Sequence, residues 1–270
     1  MRKFYLRSRE RMGISPLPEE MAGIAGPDVH DPRDRIKNPE DGSTSVDVNL
    51  LSQYPLARRD QGRTNRCGGF AGVSGLSMIM QKLTGSGEML SANDLYWFAR
   101  KDENRDSGVF MRDLMAAMTE HGACPAMHWP DEMTPLKRPR GIENPDIDRF
   151  RFKIRGYERV QVGQGGAEAM RKVLSVEKLP LFVSVQMFRD VSSNACHSRG
   201  LFEMPSNRDT PTGYHAMLVV GHRLMNGRRW FILLNSWGQS VGDYGLFYMP
   251  EEYVTEEICA DVWTLPATNF

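Results

Sequence analysis

Cysteine is scarce in this chain and charge of either sign is not in excess, and both facts rule things out. The four cysteines, Cys67, Cys124, Cys196 and Cys259, are widely spaced and form no Cys-x-x-Cys pair. Such spacing argues against a disulfide framework or a zinc cage and favours a reducing compartment. Cys196-His197 has no second pair at ligand spacing and reads as loop, so neither a metal nor another cofactor is expected. Thirty-four basic residues balance thirty-four acidic ones, which removes the electrostatic reason to expect nucleic acid or a membrane surface as partner. No apolar run approaches the span of a bilayer. The first ten residues carry charge with no hydrophobic segment behind it, so no secretory signal is read there. The expected location is the cytoplasm, or wherever a route without an N-terminal signal peptide delivers the chain. Internal repeats and low-complexity tracts are also lacking.

What is present suits one or two globular domains with ample core. Residues 1–46 are charged and interrupted by Pro16, Pro18, Pro27, Pro32 and Pro39, which forbids a long helix. They read as an extension that lies on the domain or is partly disordered, either a tail or a short regulatory segment that docks or occludes. Residues 47–150 read as a mainly helical subdomain. Ser91-Ala92-Asn93-Asp94 opens one helix as a capping box. Met111, Leu114, Met115 and Met118 stripe another as core packing, and it stops at His121-Gly122. A proline-rich connector runs from Trp129 to Asp148. Residues 151–270 read as a mainly β subdomain, with strands expected over 152–162, 181–185, 216–220, 229–234 and 244–249, a helix over 167–178, and Gly227 in a hairpin turn. Helices first and strands afterwards predict an α+β fold of two packed subdomains.

The chain is organised around Gln61 to Leu76, where a glycine-bearing turn enters an apolar helix with Cys67 at the junction. Phe70, Val73, Leu76, Met80 and Leu83 recur at helical spacing, while Gly68, Gly72 and Gly75 share another face on which a second backbone could approach. A thiol at a helix N-terminus meets unpaired amides and a positive dipole end, which favour the thiolate; alternatively it is a small buried residue. A reactive thiol needs a base. His215 precedes the strand Ala216-Met217-Leu218-Val219-Val220, and Asn235 ends the next one. If the hairpin aligns these strand ends, Asn235 accepts from one imidazole nitrogen and leaves the other facing Cys67, the arrangement of nucleophile, base and orienting group.

At these residues the chain resembles the papain-like cysteine peptidases of the cathepsin type (the C1 family). Gln61-Gly62 with a cysteine six residues after the glutamine, Tyr214-His215-Ala216 with Val219-Val220-Gly221, and Asn235-Ser236-Trp237-Gly238 with Gly242-Asp243-Tyr244-Gly245 are similar to its three motifs, in its order. Ser107-Gly108 is a weaker match. The resemblance spans roughly residues 46 to 265. It implies a helical subdomain, its central helix starting at the nucleophile, packed on an antiparallel barrel-like subdomain. It also implies a thiolate–imidazolium pair of Cys67 and His215, with Asn235 orienting the ring and Trp237 shielding it. Gln61 and the Cys67 amide would form an oxyanion hole, Gly108 would pair with substrate backbone, and Phe182, Val183 and Ser184 would wall the main specificity pocket. The implied activity is hydrolysis of peptide bonds through a thioester acyl-enzyme, by a monomer acting on a peptide or protein substrate, with an inhibitor or activator protein as a further candidate partner.

Two departures stand out: Gly68 replaces the family's aromatic residue after the nucleophile, and Thr64 replaces a disulfide cysteine. Fewer than fifty residues precede the matched region, so the family's long helical prosegment is not expected. Rival readings are a non-proteolytic amide enzyme, such as a deamidase or acyl transferase, and a catalytically silent binding protein on the same scaffold.

Overall fold

A computed structural model of the chain describes residues 26–188, 194–206 and 209–267. Helix α1, Cys67–Thr84, runs through the centre of the molecule. Its apolar face is buried as far as Ile79, while Leu83 of the expected stripe is exposed in the last turn, and its glycines are explained by what surrounds it. A Cβ at Gly68 would stand 2.4 Å from Val109, at Gly72 2.5 Å from Leu95, and at Gly75 2.3 Å from the Phe182 ring. The close neighbours on that face are therefore side chains. The backbone approach occurs instead at Gly69, where a Cβ would lie 2.7 Å from the Ala92 carbonyl oxygen.

Helix α2, Ala92–Ala99, begins as its sequence predicts: Ser91 caps it, its hydroxyl oxygen accepting from the Asp94 amide at 3.1 Å. Helix α3, Met111–Glu120, buries Met111, Leu114, Met115 and Met118 against α1 and ends at His121. The connector carries the short helix α4, Pro145–Asp148, and Trp129, Cys124 and Ile142 form a small satellite core beside it. Helix α5, Gly166–Lys172, continues as a π turn over Val173–Glu177, and the short helix α6 covers Asn194–Arg199.

The strands are β1 (Val48–Asn49), β2 (Glu158–Arg159), β3 (Leu181–Phe188), β4 (Pro211–Met225), β5 (Arg228–Leu234), β6 (Leu246–Pro250) and β7 (Cys259–Thr264). They form one antiparallel sheet in the order β2-β7-β3-β4-β5-β6, with β1 pairing β4. Helices and an antiparallel sheet make this an α+β fold, as the sequence implies, and the sheet stays open between its β2 and β6 edges rather than closing into a barrel. The β4–β5 hairpin turns on Asn226 and Gly227, with φ of 51° and 76°, the left-handed pair that suits a two-residue hairpin. Two differences from the sequence reading stand out. The alternating stretch 152–162 supplies only the two-residue edge strand β2, and β7, which fills the place between β2 and β3, was not foreseen.

Residues 26–46 lie on the molecule as a strap held by charge. Asp34 pairs with Arg112 of α3 (2.6 Å) and with Arg159 of β2 (3.3 Å). Lys37 pairs with Glu177 (2.7 Å) and Glu158 (3.2 Å). The amide of Asp28 donates to Asp261 of β7 at 2.8 Å. The rest of the expected extension, residues 1–25 with Pro16 and Pro18, lies outside the described residues.

Candidate active site

The hairpin places two chemical groups at its open end. Leu218 of β4 stands opposite Leu234 of β5, so His215 and Asn235 extend just past the paired strands on the same edge. Asn235 Oδ1 accepts from the Ser236 amide at 2.7 Å and lies 2.7 Å from His215 Nε2. A backbone amide can only donate, so the atom it meets is the carboxamide oxygen. That oxygen can only accept, so His215 Nε2 carries the proton. In the neutral ring the lone pair therefore resides on Nδ1, which is buried and has no hydrogen-bond partner. Trp237 lies against the imidazole, ring centroids 4.7 Å apart, and meets Phe247 edge-on.

Cys67 opens α1, whose first turn has no side-chain cap. The nearby backbone N–H groups of Ala216, Gly68 and Cys67 itself favour the thiolate. Contact with the Ala216 amide brings the thiol beside the residue next to His215. Burial nevertheless pushes the Cys67 thiol up to about 11, the amides only partly offsetting it. Burial likewise pulls His215 down to about 4, against the opposing pull of its bond to Asn235. Both side chains are fully buried, and in each desolvation is the largest influence, working against the thiolate and the imidazolium that the sequence reading expects.

Gln61 is bound to the same strand end from across the molecule. Its amide donates to Ser236 O at 2.8 Å, its Oε1 accepts from the Ser236 hydroxyl, and its Nε2 donates to Thr64 O at 2.7 Å. The neighbouring pair Asp60 and Trp237 forms an antiparallel bridge. Gln61, Cys67, His215, Asn235 and Trp237 are thus brought together.

Ser107 and Gly108 approach the same helix end, and what holds them is internal. Asp106 accepts from the Asn65 amide (2.9 Å) and the Tyr96 hydroxyl (2.7 Å), and that hydroxyl in turn accepts from the Gly108 amide at 3.0 Å. Phe182, Val183 and Ser184 are not brought to a pocket wall. β3 lies inside the sheet between β4 and β7, all three residues are fully buried, and Phe182 fills the space left by Gly75.

The sequence reading passed over Arg66, which precedes the thiol. It is buried, and its guanidinium donates to Thr64 Oγ1 (2.8 Å), Asn93 Oδ1, Asp131 O (3.2 Å) and Gln61 O (3.4 Å). It also lies 5.3 Å from the Phe70 ring centroid, with Arg59 5.0 Å from the same centroid. Arg66 fastens the turn that carries Gln61. A charged residue between that turn and a helix apolar through its first turns was the available signal.

Comparison with known proteins adds three findings. The model of the papain family cysteine proteases matches residues 44–262. An uncharacterised peptidase C1-like protein of Acanthamoeba polyphaga mimivirus is 25% identical over 63% of this chain and 57% of its own, and mouse cathepsin K is 25% identical over 71% of this chain and 55% of its own. The chain thus spans just over half the length of these curated relatives. Among solved structures, xylellain, a cysteine protease from Xylella fastidiosa, superposes with a TM-score of 0.77 at 25% identity, covering 90% of this chain and 97% of that one. Digestive procathepsin L 3 of Tenebrio molitor larval midgut shares the fold at 17% identity, with a TM-score of 0.70 over 98% of this chain and 78% of that one.

Proposed function

The chain belongs to the papain family of cysteine proteases, and from that premise we propose that it is a cysteine-type peptidase that hydrolyses peptide bonds through a thioester. The observation that carries this reading is the fixed tautomer of His215. Because Asn235 Oδ1 holds the proton on Nε2, Nδ1 is the nitrogen able to take one, and it is buried without a hydrogen-bond partner.

In the proposed cycle Nδ1 removes the thiol proton as the two groups approach, and the sulfur attacks the scissile carbonyl. The amide of Cys67 and the carboxamide of Gln61 donate to the developing oxyanion, each such donor typically contributing about 3 kcal/mol. Collapse breaks the C–N bond, and the imidazolium returns its proton to the leaving amine. Water, deprotonated by the same nitrogen, then cleaves the thioester and regenerates the thiol. Trp237 keeps solvent from the His215–Asn235 bond, and Ser107-Gly108 lies where the backbone of an extended substrate would pair.

The test is incubation of the protein with a peptide library, read by mass spectrometry, beside a Cys67→Ala control. Cleaved peptides that depend on Cys67 support the reading. A one-dalton gain or a transferred group would favour a deamidase or acyl transferase instead, and an unchanged library would favour a silent binding protein.

A further inference from the structure

Arg100 closes α2, its amide donating to Tyr96 O at 3.1 Å, and its side chain folds back over that helix. The guanidinium sits 4.3 Å over the Trp97 ring and 5.8 Å from the Tyr96 ring. The residue is 6% exposed, and Nε, Nη1 and Nη2 are all buried without a hydrogen-bond partner. The other buried arginine, Arg66, and the half-buried Arg151 and Arg159 are answered differently. Arg66 reaches four oxygens, Arg151 is paired to Asp94, and Arg159 to Asp261. A guanidinium keeps its charge and presents five donors, so leaving it dry and unanswered costs free energy.

Three carboxylates act on Arg100 through space, Glu103 more than Asp106 and Asp102. Asp106 serves Asn65 and Tyr96, Asp102 accepts from the Asn104 amide at 2.9 Å, and Glu103 is turned to solvent. Among the described residues none of them forms an ion pair or hydrogen bond with the guanidinium. Its position also matters: it rests on the ring whose hydroxyl holds the Gly108 amide, so it stands beside the stretch where substrate backbone would run. Residues 101–107, which follow directly, contain no helix or strand.

We propose that Arg100 is a specificity-determining residue that takes the carboxylate of a substrate Asp or Glu on the N-terminal side of the scissile bond. This rests on the proposed peptidase reading for the direction of the substrate. Trp97 fixes the guanidinium plane, so its donor edge is preorganised for a bidentate carboxylate, and the loop 101–107 is the element that moves to admit it.

The experiment uses fluorescent peptide pairs differing only by Glu against Gln at each successive position before the scissile bond. Binding to the full-length Cys67→Ala protein is measured by anisotropy, and cleavage by the unmodified protein in parallel. At one position Glu should bind about ten- to a hundredfold more tightly than Gln, the range for a hydrogen bond to a charged group. The C67A/R100Q protein should bind both alike, and C67A/R100K, which keeps charge but loses the planar fork, should retain only part of the ratio. Equal binding of Glu and Gln peptides at every position overturns the proposal, as does a preference that survives R100Q. Should R100Q fail to fold, an undiminished ratio in R100K overturns it. A Glu preference in binding without any cleavage would count against the peptidase reading alone, whereas cleavage without a Glu preference would count against Arg100 alone.

Discussion

Asn235 and Gln61 exert their influence through single atoms, and their replacement should separate cleanly. Gln61→Ala removes one oxyanion donor, so kcat should fall about 10²- to 10³-fold, with a smaller loss of Tm because the Ser236 hydroxyl loses its acceptor. Steady-state kinetics beside a melting curve checks both. Arg66→Ala strands several buried oxygens at once, and an unsatisfied buried group costs about 1–3 kcal/mol; urea unfolding should show a large loss that Arg66→Lys only partly recovers. The state of the thiol is accessible too. With Cys67 pushed up to about 11 by burial, alkylation by iodoacetamide should accelerate steadily through the alkaline range, and a rate already level by pH 6 would contradict that upward shift. Buried histidines set the acid limit. His222, bonded to Ser175 at 2.9 Å, is pulled by burial from an ordinary 6.5 to about 4. The unfolded chain binds its proton first, so stability is held above 6.5 and lost as pH falls toward 4. Tm should drop across that window, and less so in His222→Gln. At this scale the sequence exposed Cys67, His215, Asn235 and Gln61, since their chemistry is written in residue type and order. Arg66 and Arg100 escaped notice because an arginine is ordinarily read as solvent-facing, and only packing reveals that these two are not.

Among the elements, α1 is the one whose composition is most tightly constrained. Gly75 faces the Phe182 ring, where an added Cβ would come to 2.3 Å. Gly75→Ala should therefore destabilise the protein by about 1–3 kcal/mol through overpacking, and Phe182→Leu in the same chain should relieve part of it in chemical unfolding. Helix starts and stops were legible because Ser91, His121 and Gly122 carry local signals that do not depend on the rest of the fold. The apolar strands β3, β4 and β5 were legible for a similar reason, as short β-rich runs. Residues 152–162 misled because alternation marks a surface that is half covered, and here the strap residue Ile36 takes the place of a ladder partner through its bridge to Arg159. β7 went unseen since Cys259–Thr264 has neither a turn signal close before it nor a clear period. Its pairing with β3 and β2 is a long-range fact. The wall assigned to Phe182, Val183 and Ser184 failed for the same reason: a motif position does not say which side of a sheet is covered.

The molecule as a whole is tied together by the strap. Asp34 touches Arg112 from the helical side and Arg159 from the sheet side, so one carboxylate spans both. Asp34→Asn should loosen residues 26–46, and trypsin should then cut after Arg33 or Arg35 faster than in the unmodified protein, as gel time courses would show. The division into a helical and a β half was readable from the order of elements. The strap was readable only as one alternative, an extension lying on the domain, because ion pairs between distant residues leave no periodic trace. The junction at Ser236 carries a further consequence. Gln61 precedes the nucleophile by six residues, yet it is bonded to the far strand end, with Gly238 donating to Arg59 O at 3.0 Å alongside. The machinery thus comes in two castings instead of four loose parts: donor, imidazole and carboxamide ride together, and the sulfur rides with its helix. Gln61 is the hinge between them, tied to the strand end through Ser236 and to the helical side through Thr64 and Arg66.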